Sequence, residues 1–231
     1  MGKTEKRIKL GATALCELFT GYTLIMLLTA GEPDRLALAF GTLLLAALPL
    51  ALEKLLSCRI SLPLYLFALA YAIGPMLGHC WKLYYTVPVW DKLLHISGGV
   101  VFAVFGAYLF DRMMGEHPAG KSVFAFCFSA TVAVLWEFAE FGADIFLGMD
   151  MQNDTVIYGL TSYLLGESLG VTGSIENIRS VVVNGRALPG YIDIGLIDTM
   201  LDMLLETAGA AATCLLLWLD QGKHPLILEQ P

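Results

Sequence analysis

Six long apolar runs, joined by short polar segments, decide which solvent this chain folds in. The runs are Leu10 to Ala30, Leu36 to Leu52, Ile60 to Leu77, Leu93 to Phe110, Ser122 to Leu147 and Ile194 to Leu219. Each is close to the ~17–25 residues that carry a helix across a bilayer at ~1.5 Å per residue. Glu17 interrupts the first run, the second holds no charged residue, and the third has Pro63 near its start and Gly74-Pro75 near its end. Composition agrees. Hydrophobic residues make up 57% and charged residues 15%, against ~45–50% and ~25% in soluble domains, and the mean hydropathy is +0.68. Such a chain has too little polar surface to cover itself in water. In lipid every backbone N–H and C=O must be paired internally, which selects helices. The expected fold is all-α: a polytopic membrane helix bundle of about six transmembrane helices, a single integral membrane domain over residues 1–231.

Lys and Arg set the expected orientation. With the N-terminus in the cytoplasm, the inside holds Lys3, Lys6, Arg7, Lys9, Lys54, Arg59, Arg112, Lys121 and Lys223, and the outside holds Arg35, Lys82, Lys92, Arg179 and Arg186, nine against five. The positive-inside rule then places both termini in the cytoplasm. Trp81, Tyr84, Tyr85 and Trp90 belong to the outer aromatic belt on this arrangement, and Trp218 to the inner one. No small-residue cleavage site follows the first run, so it is expected to stay as a signal anchor. Net charge is −7, and an acidic chain of this kind offers no basic surface for nucleic acid; the expected partners are membrane lipid and a lipid-linked small molecule. The five cysteines are scattered and read as small buried hydrophobes rather than a disulfide or metal framework.

One segment, Gly148 to Asp193, is too polar to span and falls between the fifth and sixth runs, on the extracytoplasmic side. Ser180–Pro189 reads as a β-hairpin because Asn184-Gly185 suits a type I′ turn. Thr161 to Leu169 reads as a short interfacial helix. The insert reads as a lid over the outer face or as a mere connector, and its length favours the lid.

The polar residues inside the runs carry the chemistry. Asp91 and His95 are four apart and share one helical face. Glu137, Glu140 and Asp144 are spaced by three and four, and Asp198, Asp202 and Glu206 by fours. On the expected topology all three stripes lie toward the outer face, with Glu137 deepest. An Asp at a helix centre costs ~2.5–3.5 kcal/mol on insertion scales, so acids in such places face inward and are protonated, hydrated, paired or metal-bound. Basic partners are scarce: from Glu137 to Glu206 the chain has eleven acids against Arg179 and Arg186, and Lys92 is the nearby cation. A bound divalent cation neutralises the excess most simply, with Asp91, His95, Glu140, Asp198 and Asp202 as ligands and Glu137 or Asp144 as acid/base. Oxygen donors suit Mg²⁺, Ca²⁺ or Mn²⁺, and an imidazole admits Zn²⁺ or Fe²⁺. Asp91 and Asp198 have a simpler role open to them as well, because acids near helix N-termini are favoured by the helix dipole. His95 alone also fits a hydrogen-bonded core histidine. His79, His117 and His224 lie at helix ends or in loops and read as solvated. Gly98-Gly99, Gly142 and Gly209 read as small residues that let helices approach.

Taken in order, Asp91-Lys-x-x-His95-x-x-Gly98, Glu137-x-x-Glu140 and Asp198-Thr-x-x-Asp202-Met203 resemble the pattern of the uncharacterised bacterial inner-membrane family called YjdF-like. The resemblance runs from about Trp90 to the end of the last run, and the long insert before Asp198 departs from it. VanZ-like proteins are more loosely similar, through their Asp-Lys-x-x-His helix start. The resemblance implies a bacterial cytoplasmic membrane protein; the association of VanZ-like proteins with glycopeptide resistance implies envelope chemistry, with no reaction specified. Three functions fit the residues: a metal-dependent enzyme acting on a lipid or envelope substrate at the outer leaflet, a cation- or proton-coupled transporter, and a structural or assembly protein with a static metal or polar core.

Overall fold

A computed structural model describes residues 2–32, 35–115, 117–220 and 226–229; Lys223 and His224 lie outside them. Among the described residues the chain forms α1 (Lys3–Ala30), α2 (Leu36–Leu55), β1 (Cys58–Ile60), α3 (Leu62–Cys80), α4 (Leu83–Thr86), α5 (Trp90–Met114), α6 (Pro118–Leu147), six three-residue strands β2–β7 between Thr155 and Asp193, α7 (Leu196–Asp220) and β8 (Ile227–Glu229). All the helices except α4 are long and apolar enough to cross a membrane. The protein is therefore a polytopic helical membrane protein with small strand hairpins, as its hydropathy predicts. α4 is too short to leave a hydropathy signal.

The chain divides into two compact units. The first holds residues 1–133 and 205–231, and the second residues 134–204. In the first unit α1, α2 and α3 pack on one another and α3 packs on α5. The helices are built for lipid. On α1, Thr13, Thr20, Thr23 and Leu27 are buried, while Leu15, Leu18, Tyr22 and Ile25 are exposed. Each buried threonine that follows can return its hydroxyl to a carbonyl one turn back, so small polar groups enter the apolar interior already paired. Thr20 bonds Cys16 O at 2.8 Å, Thr23 bonds Phe19 O at 3.0 Å and Thr42 bonds Leu38 O at 2.9 Å. α1 ends at Gly31, whose φ of 69° is the left-handed cap that glycine adopts without strain.

At the end of this unit that contains the start of α1, charge is buried. Lys9, 1% exposed, donates to Glu53 Oε1 at 2.6 Å and to the Ile60 carbonyl at 2.5 Å. It also stands 5.1 Å from the Tyr65 ring centroid. The Ile60 N–H donates to the same Glu53 oxygen at 2.8 Å, and Arg59 bonds Glu5. β1 pairs antiparallel with β8, in the register Cys58↔Glu229.

In the second unit the insert is made of short antiparallel pairs: β2 with β7, β3 with β4, and β5 with β6. The expected hairpin is present. β5 (Val181–Val183) and β6 (Arg186–Leu188) flank Asn184 and Gly185, with φ of 49° and 82°, the two positive values a type I′ turn requires. The expected helix over Thr161 to Leu169 is not. Leu160–Ser162 is strand β3, paired with β4, and only Tyr163–Leu165 makes a 3-10 turn. Ser162 accepts from the Leu164 N–H at 3.1 Å, so a side-chain turn replaces the first helical turn, and Gly166 and Gly170 give no helical propensity to continue it.

Candidate functional site: a buried histidine between carboxylates

The first unit gathers its chemistry around the start of α5. Trp90 opens the helix and its indole N–H donates to the Gly74 carbonyl of α3 at 3.1 Å. This fixes the α5 entry against α3. Asp91 and His95 follow one turn apart on the buried side. His95 is 6% exposed. Its Nε2 lies 3.6 Å from Asp91 Oδ1, and its Nδ1 lies 3.7 Å from Glu206 Oε2 on α7. Lys92 bonds Asp91 Oδ2 at 3.0 Å. The imidazole therefore has one carboxylate beside each ring nitrogen.

Glycines make that approach feasible. A Cβ on Gly99 would collide with the backbone of Glu206 and Ala210, and one on Gly209 would collide with the Ile96 carbonyl. Gly98 is the third: a Cβ there would stand 3.0 Å from the Tyr71 hydroxyl and 3.3 Å from Glu206 Oε1. α5 and α7 run parallel here, since 95 and 99 on one meet 206 and 210 on the other. Close backbone approach through small residues is the expected mode of helix contact in lipid. Gly142 differs: a Cβ there would meet only Phe146 of its own helix, at 3.9 Å. Ser129 of α6 closes the floor, donating to the Gly99 carbonyl at 3.2 Å. Glu206 is 4% exposed, and its Oε1 has no hydrogen-bond partner among the described residues. A buried carboxylate oxygen without a donor costs the full desolvation of that atom, so Glu206 and Tyr71 stand out beside His95. Sequence reasoning placed Glu206 on the acidic stripe without giving it a role, and Tyr71 gave no signal, being one aromatic in an apolar run.

The other expected ligands lie in the second unit. Glu137 and Glu140 are buried on α6, and the Trp136 indole donates to Glu140 Oε1 at 2.7 Å. Asp144 accepts the Met151 N–H at 2.6 Å and the Gln152 N–H at 2.9 Å, one on each oxygen. Asp198 accepts the N–H of Asn153 at 3.0 Å and its side-chain amide at 3.2 Å. These two acids bind the chain that leaves α6 to the start of α7. Asp202 is buried to 1% exposure, one turn before Glu206 on α7. Of the histidines expected in solvent, His117 is exposed and its Nδ1 accepts the Gly120 N–H at 3.0 Å as a cap for α6. His79 is half-buried instead, with its ring 4.7 Å from that of Tyr84, because α4 folds Tyr84 back over the end of α3.

Six membrane-length helices and a buried histidine flanked by carboxylates define a multi-pass membrane protein with an ionisable core. The chain belongs to the family described as Predicted membrane protein (DUF2238), whose profile matches residues 12–223. No curated protein and no solved structure matches it.

Proposed function

We propose that this protein holds one divalent cation on Asp91, His95 and Asp202, and that it acts as a metal-dependent enzyme on a lipid or lipid-linked envelope substrate. The observation that carries the reading is His95 itself, an almost fully buried imidazole with a carboxylate beside each nitrogen. Two carboxylates and one imidazole form a three-donor set that suits Zn²⁺ or Mn²⁺, with Mg²⁺ and Ca²⁺ as harder alternatives. Sequence spacing supports Asp202, which stands one turn before Glu206 on α7 as Asp91 stands one turn before His95 on α5. Glu206 then orients the ligand through its far nitrogen, the role carboxylates play behind metal-bound histidines. Glu140 and Asp198, the remaining expected ligands, each give an oxygen to a neighbour in their own unit. Asp144 has both oxygens engaged, which leaves Glu137 as the acid/base. The cation supplies Lewis acidity when bound.

A transport path would need polar groups beyond the site. The buried positions that follow on α5 are Gly98, Gly99, Ala103, Val104, Gly106, Ala107 and Tyr108; of these Tyr108 alone has a polar group, and its hydroxyl accepts from Arg112 at 2.9 Å, which favours an enzyme over a transporter. The Lys/Arg bias favours cytoplasmic termini in one integral membrane domain and puts the site toward the outer leaflet. The likeness to YjdF-like and VanZ-like proteins favours a bacterial inner membrane and an envelope substrate.

Elemental analysis of full-length protein extracted with its native lipid, without chelator, tests the reading. Wild type should carry about one divalent ion per chain, and His95→Ala and Asp202→Asn should lose it while keeping the folded state. Equal metal content in all three proteins, or none in any after equilibration with Zn²⁺ and Mn²⁺, defeats it.

A further inference from the structure

The loop between β3 and β4 carries its apolar side chains on the outside. β3 (Leu160–Ser162) pairs with β4 (Gly173–Ile175), and residues 163–172 between them hold a single charge, Glu167. The two arms of the loop meet backbone to backbone. A Cβ on Gly166 would stand 1.9 Å from the Val171 carbonyl oxygen, and one on Gly173 would stand 2.0 Å from that of Leu165. The Gly166 N–H donates to Tyr163 O at 3.3 Å, and the Val171 N–H to Ser168 O at 3.2 Å. Arms that close on glycine leave no interior for a side chain. Leu164 is 95% exposed, Leu169 fully so, and Tyr163 and Val171 by more than half. Apolar groups on a loop that cannot bury them call for an apolar phase outside it.

The root of the insert identifies that phase. Asp144 of α6 holds the N–H groups of Met151 and Gln152, and Asp198 of α7 holds that of Asn153. The Gln152 side-chain amide donates to Thr199 of α7 at 2.5 Å. The insert is thus fastened to the ends of two membrane-length helices. Tyr191, five residues before α7, pairs with Ile157 of β2. Leu164 lies seven residues beyond Ile157, at most about 24 Å of chain, so the headgroup layer is within its reach. Exposed apolar residues continue along the helix ends, with Phe146 and Leu147 on α6 and Leu196 on α7. Tyr158, Tyr163 and Tyr191 are exposed on the insert, and tyrosine suits the boundary between headgroups and acyl chains. Leu164 and Leu169 project as separate side chains, a form that fits a fluid apolar phase better than a shaped protein surface.

We propose that the loop 163–171 is a membrane-dipping tip. Leu164 and Leu169 enter the leaflet at which α6 ends and α7 begins, and Tyr158, Tyr163 and Tyr191 lie at its headgroup level. The insert then rests on the bilayer instead of standing free in water.

The test places the photocrosslinker p-benzoylphenylalanine at Leu164 or, separately, at Leu169. The full-length protein is irradiated in nanodiscs of phosphatidylethanolamine and phosphatidylglycerol, and mass spectrometry identifies the products. Leu18, an exposed residue of α1, is the lipid-facing reference. Lipid adducts should form at both tip positions with yields within threefold of the reference. Adducts at Leu18 but at neither tip position would overturn the proposal. Cross-links to a second copy, or to a remote segment of the same chain, in place of lipid would do the same. A second measurement uses the double variant Leu164→Ser, Leu169→Ser. Both side chains are exposed, so their loss leaves the loop's own contacts intact. In nanodiscs the variant should show amide hydrogen exchange at least threefold faster over residues 163–171, and an unchanged rate there would also overturn the proposal.

Discussion

Lys9 and His95 are both buried nitrogen bases of the first unit, near opposite ends of α3, and their surroundings are complementary. Lys9 has two contacts of 2.6 Å or less and an aromatic face. Its neighbourhood balances: Lys9 with Glu53, Arg59 with Glu5, and the second claim on Glu53 met by the Ile60 N–H. His95 has a carboxylate on either side, Asp91 at 3.6 Å and Glu206 at 3.7 Å. Glu206 beside it keeps an oxygen without a hydrogen-bond partner among the described residues. A closed set of charges is consistent with one fixed structure. Acids gathered around an imidazole in lipid form an open set, the one on which the proposed cation would sit.

The largest effect should come from breaking the closed set. Lys9→Ala leaves Glu53 buried without its cation and should lower stability by about 3–5 kcal/mol, the range for removing one partner of a buried pair. Metal content should not change. Thermal unfolding in detergent together with elemental analysis measures both, and a stable Lys9→Ala protein would mean the first network contributes little. Next, Gly99→Ala forces a methyl into the Glu206 backbone and should cost about 1–3 kcal/mol by overpacking. Because it separates α5 from α7 at the level of His95, it should weaken metal binding as well. A variant with wild-type stability and metal content would show that the two helices do not hold the site by close approach. Glu206→Gln acts on the open set alone. It should lower metal affinity about 10–100-fold with little loss of stability, since it removes a charge rather than stranding one. If it unfolds the protein and Glu206→Ala does the same, Glu206 belongs with Lys9 as a structural group.

The contrast was only partly legible in the sequence, for physical reasons. The spans were legible because hydropathy is a property of each run by itself. The first helix nonetheless starts at Lys3 rather than Leu10, since backbone pairing continues through polar residues that hydropathy excludes. The Asp91–His95 pair was legible because four residues make one turn, and the Asn184-Gly185 hairpin because two positive φ values demand such residues. Lys9 was not: it reads as one more surface cation in a basic N-terminus, and its partner Glu53 lies 44 residues away. Tyr71 meets Glu206 only through the gap at Gly98, a relation between three helices that no local pattern records. Thr161 to Leu169 misled because its apolar spacing fits a helix, while Ser162 and two glycines favour a turn.

Asp198 stands between the two kinds of site, and the smallest effect should separate its roles. Its position at the start of α7 made it a natural metal ligand on the acidic stripe, yet Oδ2 accepts both the N–H and the side-chain amide of Asn153. Asp144 does the same for Met151 and Gln152, so the two acids clamp the segment that leaves α6. Asp198→Asn keeps the shape and one acceptor oxygen but loses the charge behind two hydrogen bonds. The expected cost is about 1 kcal/mol, seen as faster amide hydrogen exchange around Asn153, with metal content held at the wild-type level. A proportionate loss of bound metal with unchanged exchange at Asn153 would move Asp198 from the clamp to the cation, and would widen the open set beyond Asp91, His95 and Asp202.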